Sequence, residues 1–160
     1  MPDFPSDLRL LPGFLEPRFQ AALLTALDEV LARAPLYVPR MPKSGTPLSV
    51  RMTNCGSLGW VTDESGYRYE GRHPETGHRW PPIPPMLIEI WERLAHYPHA
   101  PEACLVNYYG PAARMGLHQD RDEQDFAAPV GFAIAWGFMH IPDRRQAPAR
   151  SDPHSSARFR

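Results

Sequence analysis

A histidine and an aspartate, His118 and Asp120, lie two positions apart, shortly after a segment that the sequence predicts to be an apolar strand, residues 103–109. In an extended chain, side chains i and i+2 point to the same face, so these two would project together. One imidazole and one carboxylate from a strand end supply two of the three ligands in the facial triad that holds non-haem Fe(II). A lone His-x-Asp is a weak signal, because most such pairs are solvated loop residues, so the rest of the chain must support a metal site.

A second set of candidate residues is aromatic. Trp60, Tyr67 and Tyr69 lie on short, turn-rich segments with few apolar neighbours. They could be half-buried rings that cap a small core, or a platform on which a planar ligand such as a nucleobase stacks. Basic residues in the same region could contact phosphates, but three glutamates nearby weaken that charge argument. The basic residues are Arg40, Lys43, Arg51, Arg68, Arg72 and Arg79.

Two helices are predicted around these segments. The first spans residues 17–34: Pro17 suits the first helical position, and apolar residues recur at helical spacing on one face, as in a helix laid against a sheet. The second spans residues 84–96 and follows a proline-rich segment. Trp91 lies on its apolar face, which assigns this ring to the core rather than to a cofactor.

The composition is that of one globular domain. A chain of 160 residues with 42% hydrophobic and 22% charged residues can bury a single core. The net charge of −1 argues against a strongly basic nucleic-acid binder, although a local basic groove remains compatible with it. Cys55 and Cys104 lie in apolar surroundings, which predicts two reduced, buried thiols. No signal peptide and no membrane-spanning run is found, so the expected location is the cytoplasm.

Several short motifs, in a fixed order, resemble the bacterial AlkB family. Members of that family are Fe(II)- and 2-oxoglutarate-dependent dioxygenases that remove alkyl damage from nucleobases. The resemblance is dense over residues 48–130 and loose over the amino-terminal helix, and several spaced motifs are more specific than any one of them. The motifs are Met-Thr-Asn-Cys-Gly-Ser-Leu-Gly-Trp at 52–60, Ser-Gly-Tyr-Arg-Tyr at 65–69, Trp-Pro-Pro-Ile-Pro at 80–84, Cys-Leu-Val-Asn-Tyr-Tyr at 104–109, Leu-His-Gln-Asp-Arg-Asp-Glu at 117–123 and Ala-Pro at 128–129.

The resemblance implies an α+β, mainly β fold: a double-stranded β-helix, or jelly roll of the cupin kind, with flanking helices. His118 and Asp120 would be two iron ligands. The segment Asn107, Tyr108 and Tyr109 would bind 2-oxoglutarate, with bonds from Asn107 and Tyr109. A bidentate keto acid needs adjacent open positions on iron, which fits this ligand set.

The resemblance also implies a flexible lid over the substrate at about residues 35–80. Trp60 would stack on the flipped base, and Tyr67, Arg68 and Tyr69 would contact the substrate. Asp122 would bond the base edge, since a flipped base needs an aromatic face and an edge partner. With O2, the reaction would oxidise the N-alkyl carbon while 2-oxoglutarate becomes succinate, and the hemiaminal would collapse to an aldehyde and the repaired base. The expected partner is alkylated single-stranded DNA, or RNA, bound by a monomer away from any membrane.

The chain departs from the family after Val130. The family continues with further strands, a distal histidine as third iron ligand, and paired arginines that hold the 2-oxoglutarate carboxylate. Residues 131–160 lack a family-like sequence and end in a segment rich in Pro, Arg and Ser with no strand pattern. His140 and His154 are the only later histidines, and neither stands in a family-like context.

A frameshift near Val130, in the gene or in its sequencing, would explain the departure. Shifting the reading frame of the back-translated segment by one base forces a glycine at the Trp136-Gly137 codons and a cysteine at Met139-His140, and permits a family-like strand and Gly-Gly turn. On this hypothesis residues 1–130 are a dioxygenase domain with an incomplete jelly roll, and 131–160 are an out-of-frame tail. A genuine lineage-specific terminus is the alternative. The genomic DNA decides between the two.

The chain as written is then predicted to be unstable and nearly inactive, because two ligands hold iron weakly and the keto acid lacks its charge partner. Two other functions remain open. One is an inactive remnant or binding module that holds single-stranded nucleic acid without responding to iron or 2-oxoglutarate. The other is a related dioxygenase acting on a small molecule or a protein side chain, which Trp60 and Asp122 argue against.

Overall fold

Helices and antiparallel strands make up the computed structural model of the chain, which describes residues 9–114, 128–136 and 154–159. The predicted mixture of helix and antiparallel strand is confirmed. In chain order the elements are α1 (Pro17–Arg33), β1 (Arg51–Gly56), β2 (Gly59–Asp63), β3 (Gly66–Glu70), α2 (Pro85–Leu94), β4 (Ala103–Tyr108), β5 (Gly131–Trp136) and β6 (His154–Phe159).

The strands form two separate units. Four of them make one sheet in the order β1-β4-β6-β5, and β2 and β3 form a hairpin apart from it. Strand β4 lies inside the sheet, with β1 on one side and β6 on the other, all antiparallel. The register pairs Met52 with Asn107 and Asn54 with Leu105. Since directly opposite residues of antiparallel strands share a face, these four side chains point to one side of the sheet.

Both predicted helices are present and pack on one face of this sheet. Helix α1 begins at Pro17 and ends one residue before the predicted end, and it buries Leu23, Leu27, Val30 and Leu31. Helix α2 is shorter than predicted, and Trp91 lies in its buried face as expected, 3% exposed. These side chains meet residues of β1 and β4 in one apolar cluster, and each buried leucine stabilises the fold by roughly 1.5–3 kcal/mol. Among the described helices, neither is long and apolar enough to cross a membrane.

The two cysteines confirm the prediction of buried, reduced thiols. Cys55 and Cys104 are both free and both fully buried. Although 49 residues separate them along the chain, they lie directly opposite each other in the β1–β4 register. A hydrogen bond with Cys55 and burial both raise the pKa of the Cys104 thiol, which keeps it protonated.

The region after Val130 differs from the sequence expectation. The sequence predicts no strand in the Pro-, Arg- and Ser-rich end of the chain after Pro142, but β6 lies there, and β5 precedes it. Strand β5 contains Phe132, Ile134 and Trp136, residue types that favour strands. Strand β6 pairs with β4 and with β5, so it supplies backbone partners to both. The expectation that no strand forms in the tail is therefore wrong, whereas the double-stranded β-helix and the frameshift stay predictions.

Candidate functional site

The β2–β3 hairpin carries an aromatic platform formed by Trp60, Tyr67 and Tyr69. Trp60 lies opposite Tyr69, and Thr62 lies opposite Tyr67, so the three rings share one face of the hairpin. The rings of Trp60 and Tyr67 are stacked, with centroids 5.6 Å apart and planes 22° apart. Tyr67 is 44% exposed, while Trp60 and Tyr69 are half-buried. The structure thus brings together three of the residues that the sequence predicted to contact a base.

The backbone of Trp60 is held by side chains from outside the hairpin. Asn54 accepts a hydrogen bond from the Trp60 N–H through Oδ1 and donates one to the Trp60 carbonyl through Nδ2, both at 3.0 Å. The Tyr37 hydroxyl donates to the same carbonyl at 3.3 Å. Burial raises the pKa of Tyr37 above its usual range, so the phenol stays protonated and able to donate.

A glycine makes this close approach possible. A Cβ at Gly59 would lie 2.6 Å from the Trp80 ring and 2.7 Å from the Asn54 Cβ, so no larger residue fits there without movement. Trp80 is buried and donates from Nε1 to the Glu70 carbonyl at 2.8 Å, which ties the far end of β3 to the core. Next to Trp80 lies the ring of His73, 5.2 Å away between centroids.

His73 is a buried histidine with both ring nitrogens occupied. Its Nδ1 accepts from the backbone N–H groups of Glu75 and Thr76, at 3.1 and 3.2 Å. Its Nε2 therefore carries the proton and donates to the Pro35 carbonyl at 2.7 Å. These bonds connect the loop after the hairpin to the segment after α1, which gives His73 a structural role.

Arg68 is not brought to the aromatic platform. It lies between Tyr67 and Tyr69 on β3, so its side chain points to the opposite face of the hairpin. There its guanidinium binds both carboxylate oxygens of Asp63, at 2.9 and 2.7 Å, and also the carboxylate of Glu70. The hydrogen bonds from Arg68 lower the pKa of Asp63 to about 2. With two carboxylates beside it, Arg68 has less charge to offer a phosphate than the sequence suggests.

The three predicted 2-oxoglutarate residues, two at the end of β4 and one directly after it, lie on two different sides of the sheet. Because alternate side chains along a strand point to opposite faces, Asn107 lies on the face opposite to Tyr108. Tyr109 packs on the Asn107 side, in the cluster that contains Trp80 and the hairpin residue Val61. Tyr108 packs instead with the helices, and Arg51 lies over its ring, 5.8 Å from the centroid. Tyr108 is therefore separated from the other two.

Asn107 is a buried polar residue whose side-chain oxygen meets no donor in the described ranges. It is 5% exposed, and no hydrogen-bond partner lies at its Oδ1 in the described part of the chain. Buried amides in proteins are normally hydrogen-bonded, and an exception calls for a reason such as a ligand. This observation fits a strand that binds a polar small molecule.

The predicted iron ligands and the base-edge residue fall elsewhere. His118, Asp120 and Asp122 lie outside the residues that the structure describes. Within the ranges that it does describe, no three side chains of His, Cys, Asp or Glu come together in a way that could hold a metal ion. The proposed metal site therefore rests on the sequence.

Sequence reasoning did not assign a role to Asn54, Tyr37 or His73. One signal was present: asparagine is uncommon inside a strand, and Asn54 stands in the middle of β1. Each of these three residues has a partner 6 to 38 positions away, as for Asn54 and Trp60 or His73 and Pro35. Such contacts leave no periodic pattern in the sequence.

Comparison with known families identifies the superfamily of the chain. The family model described as the 2OG-Fe(II) oxygenase superfamily matches residues 7–132, which is most of the chain. The chain therefore belongs to the 2OG-Fe(II) oxygenase superfamily.

Within that superfamily, similar proteins belong to one group. An alpha-ketoglutarate-dependent dioxygenase AlkB homolog of Caulobacter vibrioides is 50% identical over 148 residues, covering 92% of this chain and 66% of that protein. The alpha-ketoglutarate-dependent dioxygenase AlkB of Escherichia coli is 41% identical over 118 residues, covering 70% of this chain and 54% of the relative. The chain is thus a member of the AlkB family, and it spans between about half and two thirds of the length of these relatives.

Solved structures include one whose fold is similar to that of this chain. A structure of OsALKBH1 matches with a TM-score of 0.57 at 20% identity, covering 95% of this chain and 81% of the other. The Caulobacter alignment also continues past Val130, because 92% of this chain is more than its first 130 residues. The family model ends at residue 132, close to the position at which the sequence departs from the family pattern.

Proposed function

We propose that this chain is an Fe(II)- and 2-oxoglutarate-dependent dioxygenase that removes alkyl groups from nucleobases by oxidation. The observation that carries the proposal is the stacked pair Trp60 and Tyr67 on a hairpin that packs on the Asn107 side of β4, in a chain of this family. A flipped base needs an aromatic face, and a keto acid needs polar partners close by. Support for the proposal is that Trp60 and Tyr109 pack in one cluster, on the side of the sheet to which Asn107 points.

His118 and Asp120 would hold the iron, and Asn107 and Tyr109 would bind 2-oxoglutarate. When bound, iron and 2-oxoglutarate would supply, with O2 as the oxidant, the oxidation of the N-alkyl carbon, and the keto acid would leave as succinate and CO2. Asn107 is a candidate for this role because it is buried on the face of β4 that packs against the hairpin. Its amide N–H and the Tyr109 hydroxyl are donors that a dianion can use.

The chain's own residues then position the base. Trp60 would stack on the flipped base, and Tyr67 and Tyr69 would contact the same nucleotide from β3. Asp122 would bond the base edge and select a base that presents a donor. Arg68 would support the hairpin through Asp63 rather than contact the substrate.

The substrate class would be an alkylated single-stranded DNA or RNA, bound by a monomer. A separate lid at about residues 35–80 would cover it, built around the hairpin. The strands of the sheet would belong to a jelly roll, as family membership implies. Two buried free cysteines favour a reducing compartment, so we propose the cytoplasm as the location.

Residues 1–130 would form the dioxygenase domain, and a frameshift near Val130 would account for the unfamiliar sequence of residues 131–160. Sequencing the genomic DNA through this point tests the idea. We expect the shifted frame to stay open and to encode a distal histidine and paired arginines. An early stop in that frame, or the absence of those residues, contradicts the frameshift.

Turnover tests the proposed activity. The 160-residue chain is incubated with an oligonucleotide carrying N-methyladenine or N-methylcytosine, with Fe(II), 2-oxoglutarate and O2. We expect slow release of formaldehyde and succinate in equal amounts, and none after His118→Ala or Asp120→Ala. Restoring the shifted frame is expected to raise the rate by at least tenfold, because it completes the ligand set.

An inactive binding module would give a different result. Both chains would then bind the oligonucleotide in a salt-sensitive manner, and neither iron nor 2-oxoglutarate would change the affinity. If the frame-restored chain also releases no formaldehyde, the dealkylase proposal is contradicted. Release of succinate that an unmethylated oligonucleotide supports equally well would point to another substrate.

A further inference from the structure

We infer that Asn54 is a positioning residue, which fixes the position of Trp60 in the proposed site through hydrogen bonds to its backbone. Tyr37 contributes a further hydrogen bond to the same residue. This inference rests on the proposed stacking role of Trp60. Asn54 is 0% exposed, and both ends of its amide bind the backbone of one residue, Trp60. We call this pair of bonds, together with the Tyr37 bond to the same carbonyl, the Trp60 clamp.

The backbone N–H and carbonyl of Trp60 fix the orientation of the Asn54 amide. The Trp60 N–H can only donate, so the group facing it at 3.0 Å must be Oδ1. The Trp60 carbonyl can only accept, so Nδ2 faces it at 3.0 Å. An amide that is satisfied at both ends in the core has one arrangement, because any rotation leaves buried groups without partners.

The clamp joins two parts of the site that no strand ladder connects. Asn54 belongs to β1 of the four-stranded sheet, and Trp60 belongs to the separate β2–β3 hairpin. The register places Asn54 opposite Leu105, two residues before Asn107 on the same face of β4. Asn54 therefore ties the aromatic platform to the strand that would bind the keto acid.

Neighbouring groups leave the clamp little freedom to shift. A Cβ at Gly59 would meet both Asn54 and Trp80, so Asn54 and the strand that begins at Gly59 are already in close contact. Tyr37 is fixed in turn by two backbone bonds with Met52, each 2.9 Å long. A displacement of the Trp60 backbone would have to break several buried bonds at once.

The matched control is the residue beside Asn54. Thr53 is also 0% exposed, and its hydroxyl donates to the Ala34 carbonyl at 2.9 Å, away from the hairpin. Thr53→Val removes a buried hydrogen bond in the same strand without touching Trp60. A change that follows Asn54→Ala but not Thr53→Val therefore cannot be a general effect of weakening β1.

The measurement is the gain in affinity that the target base provides. Each variant is titrated with a single-stranded oligonucleotide carrying N-methyladenine, and with the same oligonucleotide in which that position is abasic. The ratio of the two dissociation constants isolates the base contact, and an aromatic stack gives roughly a tenfold ratio. We expect this ratio in the wild type and in Thr53→Val, and a ratio near one in Trp60→Ala.

Asn54→Ala is expected to reduce the ratio several-fold, and Tyr37→Phe to reduce it by about twofold, since it removes one of three bonds. If Asn54→Ala does not fold, Tyr37→Phe decides, because it changes little volume. In the Trp60→Ala background, neither substitution should lower the ratio further, as expected when one residue acts through another.

The two proposals fail in different ways. If Trp60→Ala keeps the wild-type ratio, the stacking role of Trp60 is contradicted, and the functional role of the clamp is contradicted with it. If Trp60→Ala loses the ratio while Tyr37→Phe and Asn54→Ala keep it, only the clamp is overturned.

Discussion

The two faces of strand β4 differ in their side chains: one face is apolar and fully packed, and the other carries a buried polar group without a hydrogen-bond partner among the described residues. On the face toward the helices, Cys104, Val106 and Tyr108 are buried in one apolar cluster with α1 and α2. On the other face, Asn107 is just as deeply buried but keeps an acceptor without a partner among the described residues. One strand therefore supplies stability from one side, and its other side carries the proposed 2-oxoglutarate residue Asn107.

The β2–β3 hairpin repeats the same division on a smaller scale. Its aromatic platform faces one way, and the Arg68 group with Asp63 and Glu70 faces the other. In both places, neighbouring residues in the sequence have different duties because alternate side chains point to opposite faces. We therefore expect that, of two neighbouring residues, substituting one lowers stability and substituting the other does not.

The largest effect is expected from Tyr108→Ala. Tyr108 is 6% exposed in the helix-facing cluster, and removing a buried aromatic ring costs about 3–5 kcal/mol. Urea unfolding followed by circular dichroism measures the loss. A loss below about 1 kcal/mol would mean that this face of β4 is not the one that stabilises the fold.

Asn107→Leu, one position away, is not expected to lower the free energy of unfolding. Leucine has a similar shape and removes a buried acceptor that has no partner among the described residues, so the free energy of unfolding should stay equal or rise by about 1 kcal/mol. The same urea titration, without 2-oxoglutarate, gives the value. A clear destabilisation would show that Asn107 has a structural partner and is not held ready for a ligand.

The smallest effect concerns the polar face of the hairpin. Hydrogen bonds from Arg68 lower the pKa of Asp63 from 3.8 to about 2, so the carboxylate contributes stability above pH 4. That contribution is lost as the pH falls from about 4 to 2. Because both side chains are partly exposed, it should remain below about 1 kcal/mol.

Unfolding of Asp63→Asn and the wild type at several pH values measures this contribution. The difference in unfolding free energy should be constant above pH 4 and vanish near pH 2. Base-dependent affinity should be unchanged in Asp63→Asn, since this face lies away from Trp60. A gap that grows toward low pH would contradict the assigned sign.

The sequence predicts the elements better than the contacts between them. Pro17 and the apolar spacing predict α1 to within one residue at its end, and the position of Trp91 is confirmed. Alternation along β4 already implied that Tyr108 would lie apart from its two neighbours, and the resemblance to a family motif obscured this. The same reasoning applies to Arg68 between two tyrosines.

Other features could not be read from the sequence in physical terms. The Trp60 clamp depends on the distance between a strand and a separate hairpin, and nothing local in Asn54 states its partner. Strand β6 carries polar residues without a clear apolar alternation, and it forms because β4 and β5 lie on either side of it. Tertiary context of this kind overrides local propensity.

Binding of 2-oxoglutarate tests the division of β4 most directly. Thermal unfolding is followed with Mn(II) in place of iron, with and without millimolar 2-oxoglutarate, because a ligand that binds only the folded chain raises the midpoint. We predict a rise for the wild type and for Tyr108→Phe, and none for Asn107→Leu. An equal rise in Asn107→Leu, or its loss in Tyr108→Phe, would contradict the assignment of the site to the Asn107 face.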